Sequence, residues 1–158
     1  MKSDIRSTPE EDDLLLWLRS ENNREELVSH VADIMEDQYK IKAKTIEIID
    51  KRVTKSLYDG KRYIGSADYI IWAELGFDNL TPRPFRILIE IKPVLDSILS
   101  TIRKLDKFAE SLAKIQDNEN ADPSPVFSVV LTTDTSKRHV PTLLDAGIHT
   151  FVVPKDQV

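Results

Sequence analysis

Cysteine is absent from this 158-residue chain, and glycine occurs only four times. Without thiols there is neither a disulfide framework nor a thiolate metal site, and a reducing, cytoplasmic setting is the expectation. Histidine is nearly as scarce. His30, His139 and His149 are the whole supply, too few for a histidine-rich zinc centre, so any metal here is expected to be hard and oxygen-bound. Long apolar runs are also missing, so no segment reads as a membrane span, and the opening "MKSDIRSTPEEDD" is too charged for a secretory signal. What is present is one domain's worth of chain, with 41% hydrophobic and 31% charged residues, the balance of a soluble globular protein.

The net charge of −5 argues against a simple nucleic-acid binder, but the charge is unevenly spread. Residues 1–39 carry a net −7, residues 40–62 a net +5 and the remainder a net −3. The stretch "KIKAKTIEIIDKRVTKSLYDGKR" is therefore a basic block in an acidic protein. Two readings stand side by side. Its lysines guard the edge of a sheet, or Lys51, Arg52, Lys55, Lys61 and Arg62 form a rim that faces phosphates.

Periodicity gives the element order. "STPEEDDLLLWLRS" begins with cap-like Ser7 or Thr8, then Pro9 and acids in a first turn. Its run from Leu14 to Leu18 is too dense for one stripe, so this helix is expected to pack on two sides. "NNREELVSHVADIMEDQYK" reads as a second helix capped by Asn22 or Asn23. "KTIEIIDKRV" and "GSADYIIWAEL" read as strands around the turn "YDGKR", "GFDNLTPRP" as a loop, and "FRILIEIK" as a third strand. A long helix over "VLDSILSTIRKLDKFAESLAKI", a polar loop "QDNENADPSP", an apolar strand "VFSVVLTTD", a short helix and the strand "IHTFVVP" complete the chain. The fold class expected is α/β, a mixed five-stranded sheet of one antiparallel meander plus crossover strands, flanked by helices. Trp17 and Trp72 are expected in the core.

The chemistry centres on "RILIEIKP". Side chains alternate along a strand, so Ile87, Ile89 and Ile91 share one face while Arg86, Leu88, Glu90 and Lys92 share the other. With 27 acids and 13 lysines, about two acid-x-lysine pairs are expected by chance. Two occur, Asp59-Gly60-Lys61 in a turn and Glu90-Ile91-Lys92 in a strand. Taken alone, Glu90 and Lys92 are an ordinary ion pair on a sheet face. Asp68, at the start of the preceding strand, changes the picture. On antiparallel neighbours it can lie at the same end of the sheet as Glu90, and two carboxylates there could hold Mg²⁺.

Asp68, then Glu90-Ile91-Lys92 on the next strand, then a long helix and an apolar strand, resembles the PD-(D/E)XK nuclease superfamily over residues 22–153. The resemblance implies a restriction-endonuclease-like core there, preceded by a helical extension over 1–21. It further implies a Mg²⁺- or Mn²⁺-dependent DNA endonuclease of repair, recombination, defence or mobile-element type. Asp68, Glu90 and the Ile91 carbonyl would be metal ligands, and Lys92 would position or activate water. A glutamate of the first core helix, Glu25 or Glu26, would complete the set. Cutting both strands of DNA would call for a homodimer. Ala67 stands where the family's name has proline. Some branches carry glutamine and tyrosine four residues apart on the helix after the lysine, where this chain has Lys104 and Phe108. The alternative function is a catalytically silent member of the same fold, serving as a nucleic-acid or protein-interaction module.

Overall fold

The computed structural model describes residues 9–118 and 124–158. The proposed caps Ser7 and Thr8 lie outside that range, as does the middle of the "QDNENADPSP" loop. Two helices, α1 (Pro9–Arg19) and α2 (Glu21–Tyr39), open the chain. Only Ser20 separates them, and its hydroxyl caps α2 by accepting from the Asn23 N–H. Asn22 and Asn23 are thus already inside the helix. The Asn23 side chain turns back to donate to the Trp17 carbonyl, and the buried Arg24 donates to the carbonyls of Leu18 and Arg19. These bonds satisfy acceptors that the end of α1 leaves open. α1 buries one face, Leu14, Trp17 and Leu18, and leaves Leu16 62% exposed, so the expected two-sided packing is not formed.

The strands run further than their hydrophobic pattern indicates. β1 (Thr45–Asp59) and β2 (Arg62–Phe77) form a long hairpin over Gly60 and Lys61, and β3 (Leu80–Ile91) follows after Asp78 and Asn79. Much of "GFDNLTPRP", expected to be a loop, is therefore strand despite Pro82 and Pro84. β4 joins β3 only from Arg86, whose N–H reaches the Pro125 carbonyl. The nitrogens of Pro84 and Pro82 face the same way, toward a side where no strand lies among the described residues. A missing N–H costs nothing there.

α3 (Ile98–Asn118) carries the chain to β4 (Val126–Thr132), and α4 (Val140–Asp145) carries it to β5 (Ile148–Val152). Both new strands are parallel to their neighbours, giving an open mixed sheet in the order β1-β2-β3-β4-β5 with helices on both faces. α1 and α2 cover Tyr69, Ile71, Ile87, Ile89 and Ile91. α3 and α4 cover Ile70, Leu88 and Val130 on the opposite face, with Trp72 packed at the margin. The alternation read from "RILIEIKP" is thus a division between two cores. Among the described residues no helix is long and apolar enough to cross a membrane.

Candidate functional site

The β2–β3 ladder pairs Tyr69 with Ile89 and Ile70 with Leu88. The next pair in that register is Asp68 and Glu90, side by side on the α3 face. Asp68 extends the ladder with its side chain, Oδ2 accepting from the Ile91 N–H at 2.9 Å. A backbone donor that would otherwise be orphaned as the ladder ends is thereby satisfied.

Glu90 sits in a harder place. Its side chain is 12% exposed, and Oε1 accepts from the Lys104 ammonium at 2.9 Å. Oε2 is buried with no hydrogen-bond partner. Burial, and then the charge of Asp68, push the Glu90 carboxyl up to about 7 against the opposing pull of Lys104. Lys92 does not meet Glu90. Its ammonium pairs with Asp96 at 3.3 Å, because β3 stops at Ile91 and the chain turns away.

That turn is strapped to the end of β4. The Lys92 N–H reaches the Leu131 carbonyl, the Thr132 hydroxyl donates to the Pro93 carbonyl, and Asp134 Oδ2 accepts from the Leu95 N–H. Two such backbone donors, from Leu95 and Ser136, hold the Asp134 carboxyl below its ordinary range. With residues 92–97 used in this way, α3 begins at Ile98 and not at Val94. Leu95 remains buried all the same.

Lys104 arrives because α3 lies close to the sheet. Gly65, at φ +141°, has no Cβ, and a Cβ there would stand 2.8 Å from Phe108 Cζ. The Phe108 ring occupies that room, and Lys104 lies one turn earlier with Nζ 5.6 Å from the ring centroid. The helical spacing of Leu105 and Phe108 marks the face that packs. It does not show that Lys104, beside that stripe, reaches across to Glu90.

The acids of α2 do not join this group. Glu25 and Glu26 are exposed, on a helix whose apolar face covers the other side of the sheet. Glu25 lines a groove with Glu21, Ser29 and Lys51, away from Asp68 and Glu90. The basic block lies along β1, an edge strand, and around the hairpin turn. Lys51, Arg52, Lys61 and Arg62 are exposed and Lys55 is half-buried. Arg52 is paired with Asp50 at 3.1 Å.

No family model, curated protein or solved structure matches this chain. The chemistry must be read from the site's own atoms. Among the described residues no group of three or more His, Cys, Asp and Glu side chains is placed to hold a metal ion. Two carboxylates are nonetheless enough for magnesium, which keeps much of its water shell. A buried oxygen that meets no donor and lies against a second carboxylate is satisfied either by a shared proton or by a small divalent cation, so the residues present fit such an ion.

Proposed function

We propose that this chain is a divalent-metal-dependent DNA endonuclease of the PD-(D/E)XK type, built on a restriction-endonuclease-like core. The observation that carries the reading is the pair Asp68 and Glu90, adjacent at the end of β3, with Glu90 Oε2 buried and unpartnered. Asp68, Glu90 and the carbonyl of Ile91, which leaves the strand on the same side as the N–H held by Asp68, would hold Mg²⁺ or Mn²⁺. Such an ion supplies Lewis-acid stabilisation of charge on a phosphodiester and makes water a better nucleophile.

The chain's own residues have separable tasks. Lys104 holds Glu90 by Oε1, turning the other oxygen toward Asp68's side, and favours the ionised carboxylate. Asp68 is oriented by a backbone N–H that cannot rotate away. Lys92, 17% exposed and tied to Asp96, stands at the rim as the second cation available to a water or a phosphate oxygen. Incubated with branched, single-stranded and duplex DNA plus Mg²⁺ or Mn²⁺, the protein is expected to nick at least one substrate. Asp68→Ala and Glu90→Ala are each expected to abolish nicking. A Lys92→Ala protein that cuts as well as the parent would remove Lys92 from the chemistry.

One observation favours the catalytically silent reading. Lys104 already supplies Glu90 with a cation, so the carboxylate pair has an internal counter-charge. Response to added metal separates the two readings.

The basic edge is the proposed phosphate contact. Reversing Lys51, Arg52 and Lys55 to glutamate is expected to weaken DNA binding uniformly across sequences and to flatten its salt dependence, because phosphate contacts release counterions. Unchanged affinity and slope would leave these residues as guards of the β1 edge.

A further inference from the structure

The tip of the β1–β2 hairpin carries an aromatic pair that the cores do not use. Tyr58 and Tyr63 face one another across the ladder. Their rings meet edge to face with centroids 5.7 Å apart, yet they remain 49% and 56% exposed. A cross-strand aromatic pair steadies a hairpin through the contact between its rings. That contact uses one edge and leaves π-surface in water.

The tip is also held in place. Ser111 donates its hydroxyl to the Tyr58 carbonyl at 2.9 Å, Lys114 pairs with Asp59 at 3.1 Å, and the Tyr63 and Ser66 hydroxyls share a hydrogen bond of 2.8 Å. Lys114 thereby neutralises the acid of the turn. Among the described residues Lys55, Lys61 and Arg62 have no ion-pair partner. In a protein of net charge −5, the tip is left cationic and aromatic together.

We propose that Tyr58 and Tyr63 form a stacking platform for unpaired bases of single-stranded nucleic acid, with Lys61 and Arg62 taking the flanking phosphates. Planar rings beside mobile cations match a polymer that alternates planar bases with phosphates, and stacking of this kind is indifferent to base identity. Bases within an intact duplex are already stacked, so the platform prefers single strands. The tip is pre-organised by its bonds to α3, so little ordering opposes binding. This rests on the nucleic-acid partner of the proposed function and not on cleavage.

Binding of labelled oligo(dT) and of a duplex, measured by anisotropy in chelator over a range of salt, tests it. Tyr58→Leu with Tyr63→Leu is expected to weaken oligo(dT) binding by roughly tenfold or more, the scale of losing one or two base stacks. Duplex binding and the salt slope should be unchanged. Tyr58→Phe with Tyr63→Phe should bind as the parent does, which assigns the contact to the rings and not the hydroxyls. Intact duplex binding and an unchanged melting temperature of the leucine variant separate lost stacking from a frayed hairpin. Lys61→Ala with Arg62→Ala should flatten the oligo(dT) salt slope by about 1.4, two single-strand phosphate contacts. A leucine variant that binds oligo(dT) as tightly as the parent, with duplex binding intact, overturns the platform and leaves DNA as partner. Equal losses on both probes overturn it too, and a parent that binds neither probe overturns the nucleic-acid partner itself.

Discussion

Glu90→Gln is expected to melt well above the parent at pH 8 in chelator, and the advantage is expected to disappear near pH 4. In the folded protein the Glu90 carboxyl is pushed up to about 7 from an ordinary 4.5, by burial first and the Asp68 charge second. A raised carboxyl means the folded state binds the extra proton, so the associated stability is intact below about pH 4.5 and is lost as pH rises through 7. The full difference corresponds to about 3 kcal/mol, or about 6–12 °C for a chain of this size. Glutamine removes the charge, keeps the shape and still accepts from Lys104. Asp68→Asn acts through the second cause and is expected to recover a smaller part, since its amide oxygen still accepts from Ile91 N–H.

Divalent metal should then reverse the ranking. An ion bound only by the folded parent adds about 4.1 kcal/mol at a thousand times its dissociation constant, more than the deficit of about 3 kcal/mol. Neither variant should gain as much. Thermal melts of the three proteins, with chelator and with Mg²⁺ or Mn²⁺, give the answer in one experiment. A parent indifferent to metal, beside variants that only lose stability, would make the carboxylates a structural pair and favour the silent module.

Gly65→Ala is expected to cost about 3 kcal/mol or more. Its φ of +141° is reached freely by glycine alone, and holding another residue there costs on the order of 1–3 kcal/mol. The new methyl would also sit 2.8 Å from Phe108 Cζ and 3.0 Å from Cε1, in a ring that is 2% exposed and has little room to retreat. Because Phe108 seats α3, the strain should move Lys104 relative to Glu90 and weaken the response to metal. Urea melts of Gly65→Ala, Phe108→Ala and the double variant check the cause. Phe108→Ala is destabilising through its cavity, but it removes the clash, so the double variant should lose less than the sum. Strict additivity, or a Gly65→Ala protein within 0.5 kcal/mol of the parent, would mean that α3 is not seated this way.

Much of the architecture was legible without coordinates. Period-two alternation in "RILIEIKP" and "GSADYIIWAE" grouped Asp68 with Ile70 and Trp72, and Glu90 with Leu88, because side-chain direction along a strand is a local property. The β2–β3 register made those two groups one face. The helical crossovers after β3 and β4 required parallel strands for the same kind of reason. Strand ends were less legible. The two prolines of β3 read as a loop, and they are harmless because, among the described residues, β4 pairs with β3 only from Arg86.

Within the site, the sequence by itself determined which acids are present and which neighbours share a face with each along its own strand. The β2–β3 register then set Asp68 beside Glu90. Tertiary structure decided which base meets them. Lys92 is two residues from Glu90 and Lys104 is fourteen, yet Lys104 makes the bond. The end of β3 turns the nearer lysine toward Asp96, while Gly65 lets α3 bring the farther one in. The same holds for Glu25 and Glu26, which the sheet separates from Asp68 and Glu90. Alternation is set by bonds between adjacent residues. The approach of a helix to a strand is set by the space between side chains that are distant in sequence, and no local pattern records it.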